Sequence, residues 1–255
     1  MKRIIISAFI LFGNVVHAEE ITINWLNTDQ TINHTTTCTI GGDVILPETP
    51  YKYGYTFKGW CANCVPLEYL ESTGTQWIDT LYKFADILDV RIVLDAVFYE
   101  TTATGNWRVI GINAAVGRLN LGISSSGHFS YTAGYGLDQI TNVPANNGQR
   151  YLFDLNIPNA TYTVSDENNN ILVNVSPIQR GSHTFSKFYM FGYNTDRLVS
   201  MRIYSLQMWN QGRLVRDFIP ILDTDNVPCM YDKVENKYYY NQGTGQFVVG
   251  PEISE

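Results

Sequence analysis

The sequence predicts an all-β chain, a short β unit followed by one large antiparallel sandwich of two sheets. Three observations predict it. Apolar residues alternate with polar ones in run after run, Gly and Asn clusters separate the runs, and the runs sit at hairpin spacing with almost no helical periodicity. Alternation at period two puts one face of a strand on a core and the other toward solvent. Without helices to cover both faces of a sheet, two sheets must cover each other.

At the N-terminus, Lys2 and Arg3 precede the apolar run Ile4 to Phe12, and Val16-His17-Ala18 places small side chains at the two positions a signal peptidase reads. Residues 1–18 therefore read as a signal peptide cleaved after Ala18, the alternative being a buried N-terminal strand or helix. The run is too short to cross a membrane, and no later segment approaches the ~20 apolar residues a span needs. No Cys follows Ala18 to carry a lipid anchor. The expected product is secreted: extracellular, at the cell surface or periplasmic.

Residues 19–63 read as a small β unit. It has a strand at Ile21 to Leu26, a Thr-rich stretch, a second strand at Asp43 to Leu46, a turn at Pro47 and Pro50, and a closing strand at Tyr55 to Trp60. So short a unit is marginal as an independent core and would gain from a disulfide or from docking.

The large domain is expected over residues 64–255. Val90, Ile92, Leu94, Ala96 and Phe98 form a long buried stripe opposed by Arg91 and Asp95. In Tyr151 to Ile157, Tyr, Phe, Leu and Ile share one face, and Asp and Asn the other; Asn159 to Ser165 repeats the pattern with Tyr162 and Val164 inward. Ile171, Val173 and Val175 alternate against Leu172 and Asn174. Turns fall at Ser126-Gly127, Asn147-Gly148, Glu167 to Asn170 and Gln211-Gly212, where Gly and Asn tolerate the positive φ of tight hairpins. The spacing is too short for βαβ crossovers, and about a dozen strands from Leu67 onward favour a two-sheet sandwich over a small barrel.

Composition narrows the function classes. The 255 residues are 45% hydrophobic and 16% charged, with 17 Tyr and 12 Phe, a globular and aromatic-rich profile. The net charge is −7 and no basic cluster is present, which argues against nucleic acid, since phosphate contacts need Lys and Arg. Four cysteines, Cys38, Cys61, Cys64 and Cys229, are an even number in a chain read as exported and so are disulfide candidates. Three pairings are possible and the sequence does not choose; the preferred one joins Cys38 to Cys61 in the small unit and Cys64 to Cys229 across the large domain.

Two stretches resemble known families. Ile40-Gly41-Gly42-Asp43-Val44-Ile45-Leu46-Pro47 followed by Gly54-Tyr55-Thr56-Phe57-Lys58-Gly59-Trp60 resembles the Listeria–Bacteroides repeat, the β-grasp-like repeat of internalin-type surface proteins. That family implies a bacterial surface or secreted protein and a spacer or adhesion element without chemistry. Leu67 to Thr80, with its Glu68-Tyr69 opening and Gly74-Thr75-Gln76-Trp77 core, looks like the start of a concanavalin A-like (LamG-like) lectin/glucanase domain as found in secreted proteins of gut bacteria. The closing part fits too: Arg202 to Leu206, then Leu214-Val215-Arg216-Asp217-Phe218-Ile219-Pro220, Met230-Tyr231-Asp232, and Gly243-Thr244-Gly245-Gln246-Phe247 with Gly250-Pro251-Glu252. The resemblance implies a jelly-roll sandwich but no single activity, because the fold hosts lectins, hydrolases and adhesion modules. Cys229 stands where the family would have Gly.

The candidate chemistry is sparse. Trp60-Cys61-Ala62-Asn63-Cys64 mimics a thioredoxin-like motif but is followed by Val65-Pro66 and a strand instead of the helix that lowers a thiol pKa, so a structural disulfide is favoured. A zinc site lacks ligands, since His34, His128 and His183 are scattered. Glycoside hydrolysis needs two close carboxylates. The Glu-x-Asp-x-x-Glu strand of the fold's glucanases is missing; Glu68 with Glu71 and Asp95 with Glu100 have spacings that put them on opposite sides of a strand. Asp223-Thr224-Asp225-Asn226 could supply calcium oxygens, with a polar turn the favoured alternative. Asn33, Asn159 and Asn174 begin glycosylation-acceptor triplets, to which no role is given in the bacterial protein that the resemblance implies.

Aromatics are the better lead, because sugar sites stack rings on C–H faces and surround them with polar groups. Trp107, Arg108, Arg118, His128, Tyr131 and Tyr135 offer that mixture near Gly-rich turns, against the alternative that Trp and Tyr line a sandwich core. The ligand-binding residues expected are Trp107, Arg118, Tyr131 and Tyr135. No catalytic residue, metal or cofactor is expected. The function expected is a secreted, non-catalytic module that recognises glycan, with a surface adhesion protein contacting another protein as the alternative and a glycoside hydrolase behind it.

Overall fold

The stripe of Val90, Ile92, Leu94, Ala96 and Phe98 lies fully inward on one strand, and Arg91, Val93 and Asp95 lie on its outer face. It is the strand around which the larger sheet is built. The computed structural model describes residues 7–8, 20–26, 32–39, 64–99, 108–114, 117–134, 136, 138–185, 187–193, 195 and 197–253. Among them there is no α-helix, only a 3-10 turn at Ile87–Asp89 capped by Asp86.

The strands are β1 (Ser7–Ala8), β2 (Glu20–Leu26), β3 (Ile32–Thr39), β4 (Val65–Pro66), β5 (Leu70–Thr73), β6 (Ile78–Asp79), β7 (Val90–Phe98), β8 (Arg108–Ala114), β9 (Gly117–Ile123) and β10 (His128–Ala133). They continue with β11 (Asp138–Pro144), β12 (Arg150–Asn156), β13 (Thr161–Asp166), β14 (Ile171–Val175), β15 (Tyr189–Met190), β16 (Ser200–Asn210), β17 (Arg213–Leu222), β18 (Pro228–Asp232), β19 (Lys237–Tyr240) and β20 (Val248–Val249). The chain divides into two compact units, one of Met1–Pro66, Leu222–Val227 and Glu252–Glu255, the other of Leu67–Ile221 and Pro228–Pro251.

In the first unit β1, β2 and β3 form an antiparallel sheet, with Ile21 opposite Cys38 and Trp25 opposite His34. The Thr-rich stretch is thus itself a strand, in keeping with the β preference of a branched side chain. The strands expected at Asp43 to Leu46 and Tyr55 to Trp60 lie outside the described residues. In the same unit Asp223 Oδ1 accepts from the N–H groups of Asp225 (2.9 Å) and Val227 (2.8 Å), and Asn226 has φ +60°. Asp223 to Asn226 is therefore an Asx-type turn.

The second unit holds two antiparallel sheets. The larger runs β14-β13-β12-β7-β16-β17-β18-β19, with β5 on β16 and β20 on β5; the smaller runs β11-β10-β9-β8-β15-β6. Their inner faces meet through rings: Phe98 and Phe153 of the larger sheet at 5.6 Å, Phe153 and Phe129 at 5.9 Å, Tyr151 and Phe129 at 4.9 Å. The edge-to-face angles are those aromatic quadrupoles favour. The expected hairpin turns form as well. Gln211 and Gly212, at φ +51° and +74°, join β16 to β17 in the conformation a tight hairpin requires. The alternation read for β14 is only partly realised: Val173 is buried, but Ile171 is 66% exposed and Leu172 is also exposed, because β14 is the sheet's edge strand.

Candidate functional site

The smaller sheet departs from simple alternation, because β9 and β10 are buried on both faces. Leu119, Leu121, Ile123, Phe129, Tyr131 and Ala133 share the face toward the core. On the opposite face one row crosses all six strands: Asp79 opposite Tyr189, Tyr189 opposite Gly111, Gly111 opposite Asn120, Asn120 opposite Thr132, and Thr132 opposite Asp138. Directly opposed residues point the same way, so strand pairing gathers polar side chains that lie far apart in sequence.

The row is anchored at both ends. Thr132 Oγ1 donates to Asp138 Oδ1 at 2.7 Å, and Arg118, 37% exposed, forms an ion pair with the same carboxylate. At the other end the Leu81 N–H donates to Asp79 Oδ1 at 2.8 Å, and Lys187 Nζ lies 4.0 Å from Asp79 Oδ2. The half-buried Trp77 meets Tyr189 edge-on at 5.5 Å. Between the ends Asn120 is 5% exposed and its Oδ1 has no hydrogen-bond partner among the described residues. Buried polar groups are almost always satisfied, and an orphan acceptor costs about 1–3 kcal/mol. Gly111 carries no side chain, so Tyr189 and Asn120 stand two strand spacings apart, about 10 Å, with bare backbone between them.

Of the sequence-predicted ligand residues, Arg118 lies on this face. Tyr131 does not. Its ring is 2% exposed and packs at 4.6 Å on Tyr162, whose hydroxyl donates to Ser130 O at 3.2 Å; burial pushes the Tyr131 phenol up. Tyr131 is a core residue, because the pleat turns it away from Arg118. Trp107 and Tyr135 lie outside the described residues. His128 is engaged locally, its Nδ1 3.0 Å from Ser126 O. The reading missed Asp79, Asn120, Tyr189 and Trp77. A signal was present for Asn120 alone, a polar residue inside the apolar run Leu119 to Ile123.

The outer face of the larger sheet is also aromatic, but its rings are occupied. Arg91 lies over Trp209 (4.9 Å), Arg150 over Tyr204 (3.6 Å) and Arg202 over Tyr69 (4.2 Å). Each guanidinium also holds a carboxylate: Arg91 to Asp154, Arg150 to Asp95 (each at 2.7 Å) and Arg202 to Glu71 at 2.6 Å. Glu68 reaches Arg150 at 3.8 Å. Glu68 and Glu71, expected on opposite sides of a strand, therefore share this face, because regular pleating starts only at Leu70. Tyr99 is half-buried beside Glu71, and partial burial with that carboxylate pushes its hydroxyl up to about 12.

The residues of the family-like stretches have structural work. Thr244 N–H donates to Thr75 O (3.0 Å), Gln242 N–H to Trp77 O (2.9 Å), and Gln76 Nε2 to Gln246 O (3.0 Å), so the opening and closing stretches clasp each other. Arg216 lies buried under Tyr82 at 5.1 Å, bonded to Val215 O and ion-paired with Asp232 (3.4 Å) and Glu235 (2.7 Å). No protein-family model matches the chain, and no curated protein matches it either.

The cysteines depart from the preferred pairing. Cys64 is disulfide-bonded, while Cys38 and Cys229 are thiols, so neither Cys38–Cys61 nor Cys64–Cys229 is formed. Cys229 is fully buried on β18 opposite Tyr240, built into the sheet and not into a crosslink. Cys61 lies outside the described residues. Among the described residues no group of three or more His, Cys, Asp or Glu could hold a metal ion, and no helix is long and apolar enough to cross a membrane.

Proposed function

We propose that the chain is a secreted, non-catalytic glycan-binding module of the concanavalin A-like, LamG-like type, a jelly-roll sandwich preceded by one Listeria–Bacteroides-type repeat, and that it binds through the polar face of its smaller sheet. The observation that carries the reading is the Oδ1 of Asn120, which has no hydrogen-bond partner among the described residues, in a row that includes Tyr189, against which Trp77 packs edge-on. Neutral hydroxyls beside an aromatic edge are what such a surface complements. The two-sheet architecture and the clasp formed by the family-like stretches support the fold assignment. The pairing of Glu68, Glu71 and Asp95 with arginines supports a binding role over hydrolysis. A glycan-array screen, with reducing-sugar release assayed on each hit, tests the proposal. Retention without release is expected; release would restore the hydrolase, and silence across host, plant and microbial glycans would overturn glycan binding.

One observation favours the second reading, adhesion to another protein. Strand β14 ends the larger sheet with Ile171 and Leu172 exposed and no charged side chain along Ile171 to Val175. An edge so little guarded suits addition of a partner's strand. Pull-down from an envelope fraction with Leu172→Lys as control tests it; capture that ignores the substitution would refute it.

A further inference from the structure

An edge strand leaves half its backbone N–H and C=O groups unpaired, and natural sheets guard such edges with charge, brevity or proline. In the second unit the other sheet ends keep that rule. Strands β6 and β20 are two residues long, β19 opens on Lys237, and β11 has Asp138 at one end and Pro144 at the other. Strand β14 runs for five residues, Ile171–Val175, with no charged residue, Gly or Pro. Ile171 is exposed, and so is Leu172, where the register shifts against β13. Ser165 lies opposite both Ile171 and the exposed Leu152, so the apolar surface continues from the edge onto the outer face of the sheet.

Charge around the strand selects what can sit there. Over residues 161–180 the charged side chains are Asp166 and Glu167, in the turn before β14, and Arg180, after it. Arg180 is fixed beyond the far end of the strand, donating to Ile157 O and, at 2.8 Å, to Pro158 O. The edge is thus uncharged along its length, acidic at one end and basic at the other. A second copy laid antiparallel matches that pattern: an acidic end meets a basic end twice by symmetry, and no charge meets its own copy at the axis. We infer that β14 pairs antiparallel with β14 of a second copy, about a two-fold axis near Val173 and Asn174, joining two larger sheets into one. Ile171 and Leu172 of both copies then leave water together. The pairing does not depend on glycan binding, and it gives to a second copy the edge that the adhesion reading leaves to another protein.

Sedimentation velocity on the purified protein tests the pairing, at concentrations up to about 200 µM. So short an edge buries little area, and a reversible dimer with a Kd of roughly 10–100 µM is expected. Asn174→Lys sets two ammonium groups near the axis, and Leu172→Lys puts a charge where apolar surface is covered; each should weaken association about tenfold or more. Glu167→Lys removes the attraction between unlike ends and should weaken it about three- to tenfold. The salt sensitivity of the wild-type dimer should fall in that variant. All three positions are exposed, so the variants should melt with the wild type. A protein that stays monomeric throughout, or a dimer indifferent to Asn174→Lys and Leu172→Lys, would overturn the pairing. A dimer that Glu167→Lys strengthens would overturn its antiparallel sense. A monomer that captures an envelope protein, and loses it on Leu172→Lys, would assign the edge to adhesion and also overturn self-pairing. None of these outcomes touches the glycan-array result, so the two proposals fail separately.

Discussion

Replacing Arg216 with Met should destabilise the large unit more than any surface substitution, and the deficit should depend on pH. Arg216 is buried, and Asp232 beside it is fully buried with its Oδ1 accepting from the N–H groups of Asp217 (2.9 Å) and Val234 (3.0 Å). Its Oδ2 makes no hydrogen bond among the described residues, and the Arg216 guanidinium lies 3.4 Å away. Removing one partner of a buried pair costs about 3–5 kcal/mol. Glu235 is partly exposed and contributes little, and two backbone donors still hold Asp232, so about 3 kcal/mol is expected, or about 6–12 °C in Tm for a domain of this size. Burial already pushes the Asp232 carboxyl up, and Arg216 opposes that push. A carboxyl raised in the folded state favours folding most below its unfolded value of ~4 and loses that advantage as pH rises through the folded value. Loss of Arg216 enlarges the rise, so the deficit of Arg216→Met should be greatest near pH 7 and shrink toward pH 4. Circular-dichroism melts of both proteins at the two pH values measure it. A Tm difference under 2 °C at pH 7, or one that grows on acidification, would refute the reasoning.

Three further outcomes are expected. Gly243→Ala places a Cβ 2.0 Å from Thr75 O and 2.9 Å from Trp77 Cδ1, so the clasp must shift at a cost of about 1–3 kcal/mol, read as a lower urea midpoint. Phe153→Ala removes the ring shared by Phe98, Phe129 and Tyr151 and should cost about 3–5 kcal/mol by the same assay. Thiol alkylation followed by peptide mapping should label the partly exposed Cys38 in the native protein and Cys229 only after denaturation, since burial denies the reagent access.

The larger sheet was legible because each of its central strands has one wet face. Val90 to Phe98 and Arg150 to Asn156 alternate cleanly, and the structure turns the same residues inward. The smaller sheet was not, because Asn120, Ser130 and Thr132 are buried polar residues on a second covered face, and periodicity cannot distinguish that face from solvent. Tyr131 misled for a related reason: a phenol serves a core as well as a surface, and only the pairing register shows which way it points. The polar row itself was invisible, since Asp79, Asn120, Thr132, Asp138 and Tyr189 become neighbours only through five separate strand pairings. Within Leu214 to Pro220, Arg216 gave no hint that it would be buried beneath Tyr82.

The clasp between the opening and closing stretches has a kinetic consequence. Its side-chain bonds join residues 169 and 170 positions apart, Thr75 to Thr244 and Gln76 to Gln246. Contacts of such sequence separation form slowly, since the loop between them must close before they reward it. For a chain made from the N-terminus, strand β5 waits for β16 and then β20, so the sandwich can be completed only when nearly all of it has emerged. Until then Leu70 and its neighbours are an unsealed seam, open to capture by chaperones or by other nascent chains.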